Sequence, residues 1–245
     1  MRRITTLIAH KDYLDYLETA VNSAINQTHP NNICVVDDGS DVDIQELIKR
    51  VFISEKPEYV VSMPNNSGTL VYAPNTQLIA MKENGGPSRA RNLGIELCLQ
   101  TTDAFMILDA DDKMFLDKIE KCVAKMEESW NSIGVVYADY IIDKGDYTVY
   151  EYKKPYDKRL LLKECIIHSG SLINSNVFRQ VGVYDESFRV CEDYDLWLRM
   201  AEKFIAAHIP EALTKVLEHS NNSTNSVNMS IWQESWLRLH KKYSK

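Results

Sequence analysis

The sequence lacks several features that would assign it at once to a protein class. No stretch approaches 18 consecutive apolar residues, and the N-terminus lacks the apolar region of a signal peptide, so neither a spanning helix nor secretion is predicted. The net charge of −7 disfavours general nucleic-acid binding. The five cysteines include no CxxC pair and several lie in apolar runs, which predicts reduced thiols in a cytoplasmic protein.

The sequence also lacks a linker rich in glycine, proline or serine, which predicts one continuous domain over residues 1–245. In the first half, short apolar runs alternate with segments of helical periodicity. This alternation predicts an α/β fold with a mostly parallel central sheet and helices on both faces. Strands are predicted at 4–9, 32–36, 58–63, 69–72, 76–81 and 104–108, and helices at 13–25, 42–52, 87–100 and 116–128.

The second half has a different pattern. Residues 134–143 and 147–152 flank Gly145 and predict a β-hairpin, which would form a smaller β element. Short helices are predicted at 174–182 and 192–204, and an amphipathic helix at 228–245. The last helix ends in lysines and carries tryptophans, so it either packs on its own domain or touches the inner face of a membrane.

Three carboxylates follow the apolar strand in "ILDADD". Asp109 and Asp111 flank a small residue, and alternate residues of an extended chain point to the same side, so both can face one ligand. A divalent cation that binds a diphosphate prefers such oxygen ligands. Taken alone, the motif also permits a phosphatase whose nucleophile is Asp109, although the hydroxyl residue expected after it is missing, or a plain acidic turn before a helix.

Three further polar stretches lie at predicted element ends. "VVDDGS" (35–40) closes a strand, "NGGPSRARNLG" (84–94) opens a helix with two arginines, and "CEDYD" (191–195) places acids before another helix. Ligands of open α/β sheets bind beyond the carboxyl ends of strands. One of the acids in "CEDYD" can take a proton from an incoming hydroxyl. The helix N-terminus with arginines in "NGGPSRARNLG" suits a diphosphate.

These four stretches follow one another along the chain as "VVDDGS", "NGGPSRARNLG", "ILDADD" and "CEDYD", and "TLIAHKDYLDYLETAVNSAINQTHPN" (6–31) precedes them. In this order they resemble a family 2 glycosyltransferase. The resemblance covers roughly residues 4–204 and implies the single-domain, Rossmann-like A-type glycosyltransferase fold. It implies a nucleotide-sugar-binding half at about 1–112 and an acceptor-binding half at about 113–226, followed by the helix at 227–245. Two departures are a longer segment at 53–83 and His10 where the family often has tyrosine or asparagine.

The resemblance also implies residue roles. Asp193 is expected to be the catalytic base, and Glu192 is expected to orient the base or the acceptor. Asp38, supported by Asp37, is expected to bind the nucleobase. The other residues expected in the nucleotide-sugar site are Ile8, Ala9, His10, Arg89, Arg91, Asp109, Ala110 and Asp111.

A metal site is implied near the diphosphate. Asp111 is expected to bind Mn²⁺ or Mg²⁺, with Asp112 sharing the task. His219 follows an apolar strand and is the third expected ligand for the metal or a phosphate, and an imidazole among carboxylates leans towards Mn²⁺.

The predicted function is metal-dependent transfer of a sugar from a nucleotide sugar, with a UDP-sugar favoured, to an acceptor hydroxyl with inversion. His168, Gly170 and Ser171 are candidates for the acceptor cleft. The acceptor class stays open between a glycan, a lipid-linked sugar, a protein and another hydroxyl compound. The alternatives are a degenerate nucleotide-sugar-binding module and a nucleotidyltransferase, although the glycine-rich phosphate loop of the latter is missing after the first strand.

Overall fold

One continuous sheet runs through the computed structural model, which describes residues 1–220, 222 and 227–243. Its strand order is β3-β4-β5-β2-β1-β6-β10-β8-β11-β7, and β9 pairs with β8 alone. The strands are β1 (Ile4–His10), β2 (Asn31–Asp37), β3 (Tyr59–Ser62), β4 (Gly68–Tyr72), β5 (Thr76–Met81), β6 (Ala104–Asp109), β7 (Lys113–Met114), β8 (Ile133–Asp143), β9 (Thr148–Glu151), β10 (Leu172–Asn174) and β11 (Ile205–Leu217).

Parallel pairing occupies the centre of the sheet. Strands β5, β2, β1 and β6 are parallel neighbours, and β8 is parallel to β11. Antiparallel strands extend both sides: β3 and β4 beyond β5, and the three-residue β10 between β6 and β8. The predicted α/β fold is confirmed, and the segment from 53 to 83 supplies the antiparallel extension at one edge.

Helices cover both faces of the sheet, as predicted. One face packs on α1 (Leu14–Ile25), α2 (Ile44–Val51) and α4 (Lys118–Glu127), and the other packs on α3, α6, α7 and α8. Their bounds, with the short α5, are α3 (Pro87–Cys98), α5 (Lys158–Leu161), α6 (Ser175–Val181), α7 (Glu192–Met200) and α8 (Met229–Tyr243). The two buried apolar clusters keep the sheet rigid, so residues at the strand ends are held in fixed positions.

Local sequence explains several element ends. The side chain of Asn174 accepts a hydrogen bond from the backbone N–H of Asn176 and so caps α6, as its sequence predicts. Gly182, with φ of 83°, ends that helix in the left-handed region. Asp43 caps α2 in the same way as Asn174 caps α6.

The sequence-based elements need two corrections, and one predicted bound is not tested. Helix α7 ends at Met200, because the chain turns there to start β11 at Ile205. The strand β10 is too short for its three residues to show a period, and its position comes from pairing with β6 and β8. Helix α8 is described from Met229 to Tyr243, and the predicted continuation over 244–245 lies outside the described residues.

Strands β2, β1 and β6 end side by side, so the polar residues that follow them meet at one edge of the sheet. Among the helices that the structure describes, none combines the length and the apolar character needed to cross a bilayer.

Candidate active site

A cavity of about 950 Å³ opens at the carboxyl ends of the central strands. This volume lies near the upper end of the range of about 300–1,000 Å³ found for ligand pockets. Residues from both halves of the chain form its wall. The predicted site residues that line it are Ala9, His10, Asp38, Arg91, Asp109, Ala110, Asp111, Asp112, His168, Glu192 and Asp193.

The motifs "DDGS" and "NGG" meet on one side of the cavity. The carboxylate of Asp38 accepts hydrogen bonds from the backbone N–H groups of Gly85 (2.7 Å) and Gly86 (2.8 Å). Gly39 adopts φ of 68°, and a Cβ atom on it would lie 2.8 Å from the carbonyl carbon of Glu83, so glycine is required for this approach. The two motifs therefore build one loop pair at the start of α3.

The residues that follow β1 are tied to this loop pair. His10 is buried, and its Nδ1 lies 2.9 Å from Oδ1 of Asp37, which holds the imidazole in one orientation. Its Nε2 and the hydroxyl of Ser88 are buried, and neither has a hydrogen-bond partner among the described residues. Both residues line the cavity. Buried polar atoms of this kind usually find a partner, so a ligand that hydrogen-bonds there would satisfy them.

Arg91 connects Asp109, at the end of β6, to Glu192, which was predicted to lie beside the catalytic base. Its guanidinium donates to Asp109 (2.8 Å) and to Glu192 (2.7 Å) with different nitrogens. Burial lowers the pKa of Arg91, but the charges of Asp109 and Glu192 outweigh this effect and raise it. Arg91 also holds the pKa of Asp109 below its ordinary value, although burial opposes this.

Glu192 and Asp193 begin α7 and face the cavity. The preceding residue, Cys191, has φ of 65° and ψ of 17°, a left-handed conformation that costs a non-glycine residue about 1–3 kcal/mol. Burial, followed by the charge of Glu192, raises the pKa of Asp193 to about 7. A carboxyl group with this pKa is suited to accept a proton near neutral pH.

The residues from Asp109 to Asp112 form a turn after β6, called the acidic turn here, and Asp111 within it is held by His219 and Asn222. Its Oδ2 lies 3.0 Å from Nε2 of His219 and 2.9 Å from Nδ2 of Asn222. The imidazole of His219 stacks on the ring of Tyr16 at 4.9 Å and meets Tyr13 edge-on at 5.4 Å. These contacts aim Nε2 at the carboxylate, and burial with the charge of Asp109 raises the pKa of Asp111.

A buried lysine lies behind the acidic turn. Lys118 is 1% exposed, and its ammonium donates to the carbonyl of Gly170 (2.7 Å) and the hydroxyl of Thr214 (2.6 Å). Burial and the charges of Asp109 and Asp111 raise the pKa of Asp112 well above its ordinary value, and Lys118 opposes them. Burial and then Lys118 lower the pKa of His168 to about 3, so this imidazole is neutral at physiological pH.

The residues of the acidic turn fit a cation whose coordination is completed by its substrate. Among the described residues, no three histidine, cysteine, aspartate or glutamate side chains are arranged to hold a metal ion unaided. Asp111 and His219 nevertheless converge within 3.0 Å, and burial followed by the charges of neighbouring carboxylates raises the pKa of both Asp111 and Asp112, an effect that a bound cation would oppose. Divalent cations often use one or two carboxylates and take their remaining oxygens from phosphates and water.

Some predicted site residues lie off the cavity wall formed by the described residues. Arg89 is exposed on the far side of α3 from Arg91, Ile8 is buried in the core, and Asp37 acts on His10. Gly170 contributes its carbonyl to Lys118, and the buried Ser171 hydroxyl donates to the carbonyl of His168. His219 reaches the site through Asp111. Their roles in binding stay predictions.

Sequence reasoning missed other residues of the cavity wall. Lys11 and Tyr13 directly follow β1, so their position after a central strand was a usable signal. Tyr140 and Lys153 come from the predicted hairpin region, and the order of motifs gave no signal for them. The wall also contains Asn84, Ser88, Phe188, Val190, Val216 and Trp232.

The pKa of Asp193 leads to a prediction for the pH dependence of the reaction. Asp193, the catalytic base predicted from the sequence, must lose its proton before it can act, so this prediction implies that kcat/KM rises with pH through an ascending limb near pH 7. Glu192→Gln removes the neighbouring negative charge and should move this limb to lower pH, which a pH–rate profile measures. An unmoved limb would assign it to another group. The charged or titratable groups around Asp193 are Glu192, Arg91, Asp109, Cys165, Cys191 and Tyr184.

Comparison with known proteins finds a matching family model and several relatives. A family model described as Glycosyl transferase family 2 matches residues 6–182. An uncharacterized glycosyltransferase of Rickettsia typhi is 29% identical, over 94% of this chain and 69% of that protein. The putative teichuronic acid biosynthesis glycosyltransferase TuaG of Bacillus subtilis is 25% identical, over 92% of this chain and 85% of that protein.

A solved structure has the same fold. S. aureus TarS 1–349 in complex with UDP-GlcNAc aligns with a TM-score of 0.67 and 14% identity, over 93% of this chain and 62% of that one. Three other Rickettsia relatives are much longer, since this chain spans only 30% to 33% of them. The match in fold agrees with the mixed α/β architecture described above.

Proposed function

Because the chain belongs to glycosyl transferase family 2, we propose that its cavity transfers a sugar from a UDP-sugar to an acceptor hydroxyl with inversion at the anomeric carbon, and that a divalent cation assists. The prediction of a family 2 glycosyltransferase is confirmed by the family match, and the donor, the cation and the stereochemistry are the proposal. One observation carries it: Asp193, with a pKa of about 7, lines the same cavity as Asp111.

The donor half of the proposal is supported by the polar lining beyond β1 and β2. The loop pair around Asp38 and Gly86 and the unpartnered atoms of His10 and Ser88 form a polar pocket of the kind that a base and a ribose need. TarS, which shares the fold, has been crystallised with UDP-GlcNAc, and this supports a UDP-sugar as the donor here.

The acceptor half of the proposal rests on the position of Asp193. Its carboxylate is suited to take the proton of the acceptor hydroxyl as that oxygen attacks the anomeric carbon. The bond from that carbon to the diphosphate oxygen breaks at the same time, so the nucleoside diphosphate leaves. Attack from the face opposite the leaving group inverts the configuration, and the sugar ring becomes oxocarbenium-like in between. Arg91 holds Glu192, the residue next to the base, and the backbone N–H of Tyr194 donates to the Asp193 carboxylate (2.7 Å).

Asp111 and His219 are the proposed ligands of the cation, and Asp112 lies beside them in the turn. When bound, a divalent cation neutralises the charge that develops on the departing diphosphate. Asp109 is bound by Arg91 and by the hydroxyl of Ser169 (3.3 Å), which suits it to positioning rather than ligation.

The direct test is a panel of nucleotide sugars incubated with Mn²⁺, with Mg²⁺ or with EDTA. We expect release of UDP from at least one UDP-sugar, faster with a cation than with EDTA, and a product of inverted configuration by proton NMR. Binding of a UDP-sugar without turnover in any condition would favour the degenerate binding module. Pyrophosphate-dependent formation of a nucleoside triphosphate would favour the nucleotidyltransferase.

Asp111→Ala should weaken the cation dependence of the reaction. We expect the Mn²⁺ concentration for half-maximal rate to rise by about 10-fold or more, since losing one of few ligands leaves the cation weakly held. A Mn²⁺ titration of the rate at saturating donor measures this. As a matched control, Asp117→Ala removes an exposed carboxylate six residues further along the chain that pairs with Lys121, and it should leave the titration unchanged. Equal shifts in both variants would contradict the assignment of Asp111.

A further inference from the structure

Helix α8 is fastened to the helix that carries the proposed base. Asp195 on α7 is fully buried, and its Oδ1 accepts hydrogen bonds from the ammonium of Lys242 (2.7 Å) and the hydroxyl of Tyr243 (2.7 Å) on α8. Its Oδ2 accepts from Arg199 (2.8 Å). A buried carboxylate that loses such partners costs several kcal/mol, so this contact fixes α8 against α7.

The same helix is fastened to the loop before α7. Arg238 donates to the carbonyl (3.0 Å) and to the hydroxyl of Ser187, and its guanidinium lies 4.2 Å from the centroid of the Phe188 ring. Lys242 also reaches Asp185 at 3.4 Å. Ser187 and Phe188 line the cavity, so α8 fixes part of its wall.

Trp232 lies at the cavity end of α8. It precedes Trp236 by four residues, which places both side chains on one face of the helix. Trp236 packs against Tyr194 of α7, with 5.6 Å between the ring centroids, while Trp232 lines the cavity that also contains Asp193. Trp232 is only half-buried, so this large aromatic surface borders the cavity instead of being enclosed in the core.

We propose that Trp232 is the platform on which the acceptor binds, and that the acceptor group is a pyranose sugar. The indole would cover the apolar C–H face of the sugar ring, while the hydroxyl that attacks points towards Asp193. This inference rests on the proposed function and names the substrate class that it leaves open.

The chemistry of the wall favours a sugar over other hydroxyl compounds. A pyranose has one apolar face and a rim of hydroxyl groups, which matches a cavity lined by a flat indole, by carboxylates and by the neutral imidazole of His168. A lipid phosphate would bring negative charge towards Glu192 and Asp193. The cavity of about 950 Å³ is near the upper limit of ligand pockets, which leaves room for an acceptor beside the donor.

Binding can be tested by NMR with indole-labelled protein. The chain has four tryptophans, so four indole N–H signals are expected, and Trp232→Phe identifies one of them by its loss. We expect methyl β-glucoside, methyl β-galactoside or methyl N-acetyl-β-glucosaminide, added with UDP and the diamagnetic cation Mg²⁺, to move the Trp232 signal. Glycerol 1-phosphate and a serine-containing peptide should not move it. A signal that moves only with the two non-sugar probes would overturn the proposal.

Kinetics with the same probes separates this proposal from the proposed function. UDP release from the donor without acceptor reports the proposed function alone, and it is measured in every variant beside the acceptor-stimulated rate. The KM for the sugar that accelerates release should rise about 10-fold, as expected for losing one aromatic stacking contact, with a smaller rise in Trp232→Phe.

The matched control is Leu237→Ala, which changes a residue of α8 that is 68% exposed and should alter neither KM nor thermal stability. Thermal unfolding of every variant shows whether a change in acceptor KM comes from loss of the fold. An unchanged acceptor KM in Trp232→Ala would overturn the proposal, as would acceleration by the non-sugar probes alone or by no probe while donor hydrolysis proceeds. Absence of UDP release from every donor would instead refute the proposed function.

Discussion

Asp193→Asn is expected to lower kcat for sugar transfer by about 10²–10⁴-fold, the usual contribution of a general base. The amide has nearly the same shape as the carboxylate, so the cavity should keep its geometry, but it cannot take the proton of the acceptor hydroxyl. The KM for the donor should change little, because the proposed donor contacts lie around Asp38, Arg91 and Asp111. The measurement is steady-state UDP release with saturating acceptor.

The same variant should be at least as stable as the wild type at pH 8. The pKa of Asp193 is raised from 3.8 to about 7 in the folded protein, so its contribution to the free energy of unfolding is full below about pH 4 and is lost as the pH rises through about 7. The asparagine does not ionise and avoids this loss. The melting temperature of Asp193→Asn relative to wild type should therefore increase between pH 4 and pH 7.

A second carboxylate-to-amide substitution, away from the cavity, is the control for Asp193→Asn. Glu202→Gln alters a carboxylate that is 70% exposed and lies just beyond the end of α7, paired only with Lys158 in the described contacts. Its rate and melting temperature should match the wild type. If Asp193→Asn retained more than about a tenth of the wild-type kcat, another group would have to be the base.

Local patterns in the sequence predicted the framework of the site well. The acids after β2 and β6 lie at the ends of apolar strands, and parallel strands bring such ends to one edge. For this reason Asp38, Asp109 and Asp111 are found around one cavity, although 71 residues separate Asp38 from Asp109. The order of the motifs, rather than any single one, carried this information.

The two arginines of "SRARN" show what a motif alone leaves out. Residues two positions apart on a helix point in nearly opposite directions, since each residue turns by about 100°. Arg91 shares the inner face of α3 with Ser88, three residues earlier, while Arg89 is exposed. The motif grouped the two arginines as nucleotide contacts, and helical geometry separates them.

Residues recruited over long distances could not be predicted. Trp232 enters the cavity only because Asp195, Lys242 and Arg238 fasten α8 to α7 and its preceding loop. Lys118 is buried behind the acidic turn because β11 supplies Thr214 as a partner. In both cases the determining contact joins segments more than 40 residues apart, and no local pattern records such a pairing.

Arg91→Met is expected to damage stability and catalysis together. The substitution keeps an apolar stem of similar length but leaves Glu192 and Asp109 without the cation that each now contacts within 2.8 Å. Breaking a buried ion pair costs about 3–5 kcal/mol, and because Asp109 is 32% exposed we expect the lower end, about 3 kcal/mol. In a chain of this size, that corresponds to a fall in melting temperature of about 6–12 °C.

The catalytic effect has a separate cause. Without Arg91, the negative charges of Glu192 and Asp109 act fully on Asp193, so its pKa rises above about 7 and less of the base is ionised at neutral pH. Glu192 also loses the contact that holds it, and misplacing a site by about 1 Å can cost about 10²-fold in rate. The kcat of Arg91→Met should fall by about that factor, and the ascending limb of its pH–rate profile should move to higher pH.

Two variants test whether the bridge, rather than charge alone, is responsible. Arg89→Met removes the same charge from an exposed position on the same helix and should change the melting temperature by less than about 2 °C. Arg91→Lys keeps the charge but lacks the fork that contacts two carboxylates, so its melting temperature should lie between those of wild type and Arg91→Met. If Arg91→Lys matched the wild type in stability, pH profile and kcat, a positive charge at this position would be sufficient and the two-pronged contact would be unnecessary. If Arg91→Lys lost as much stability and activity as Arg91→Met, the geometry of the two contacts would account for the whole effect of Arg91, and its charge would contribute nothing.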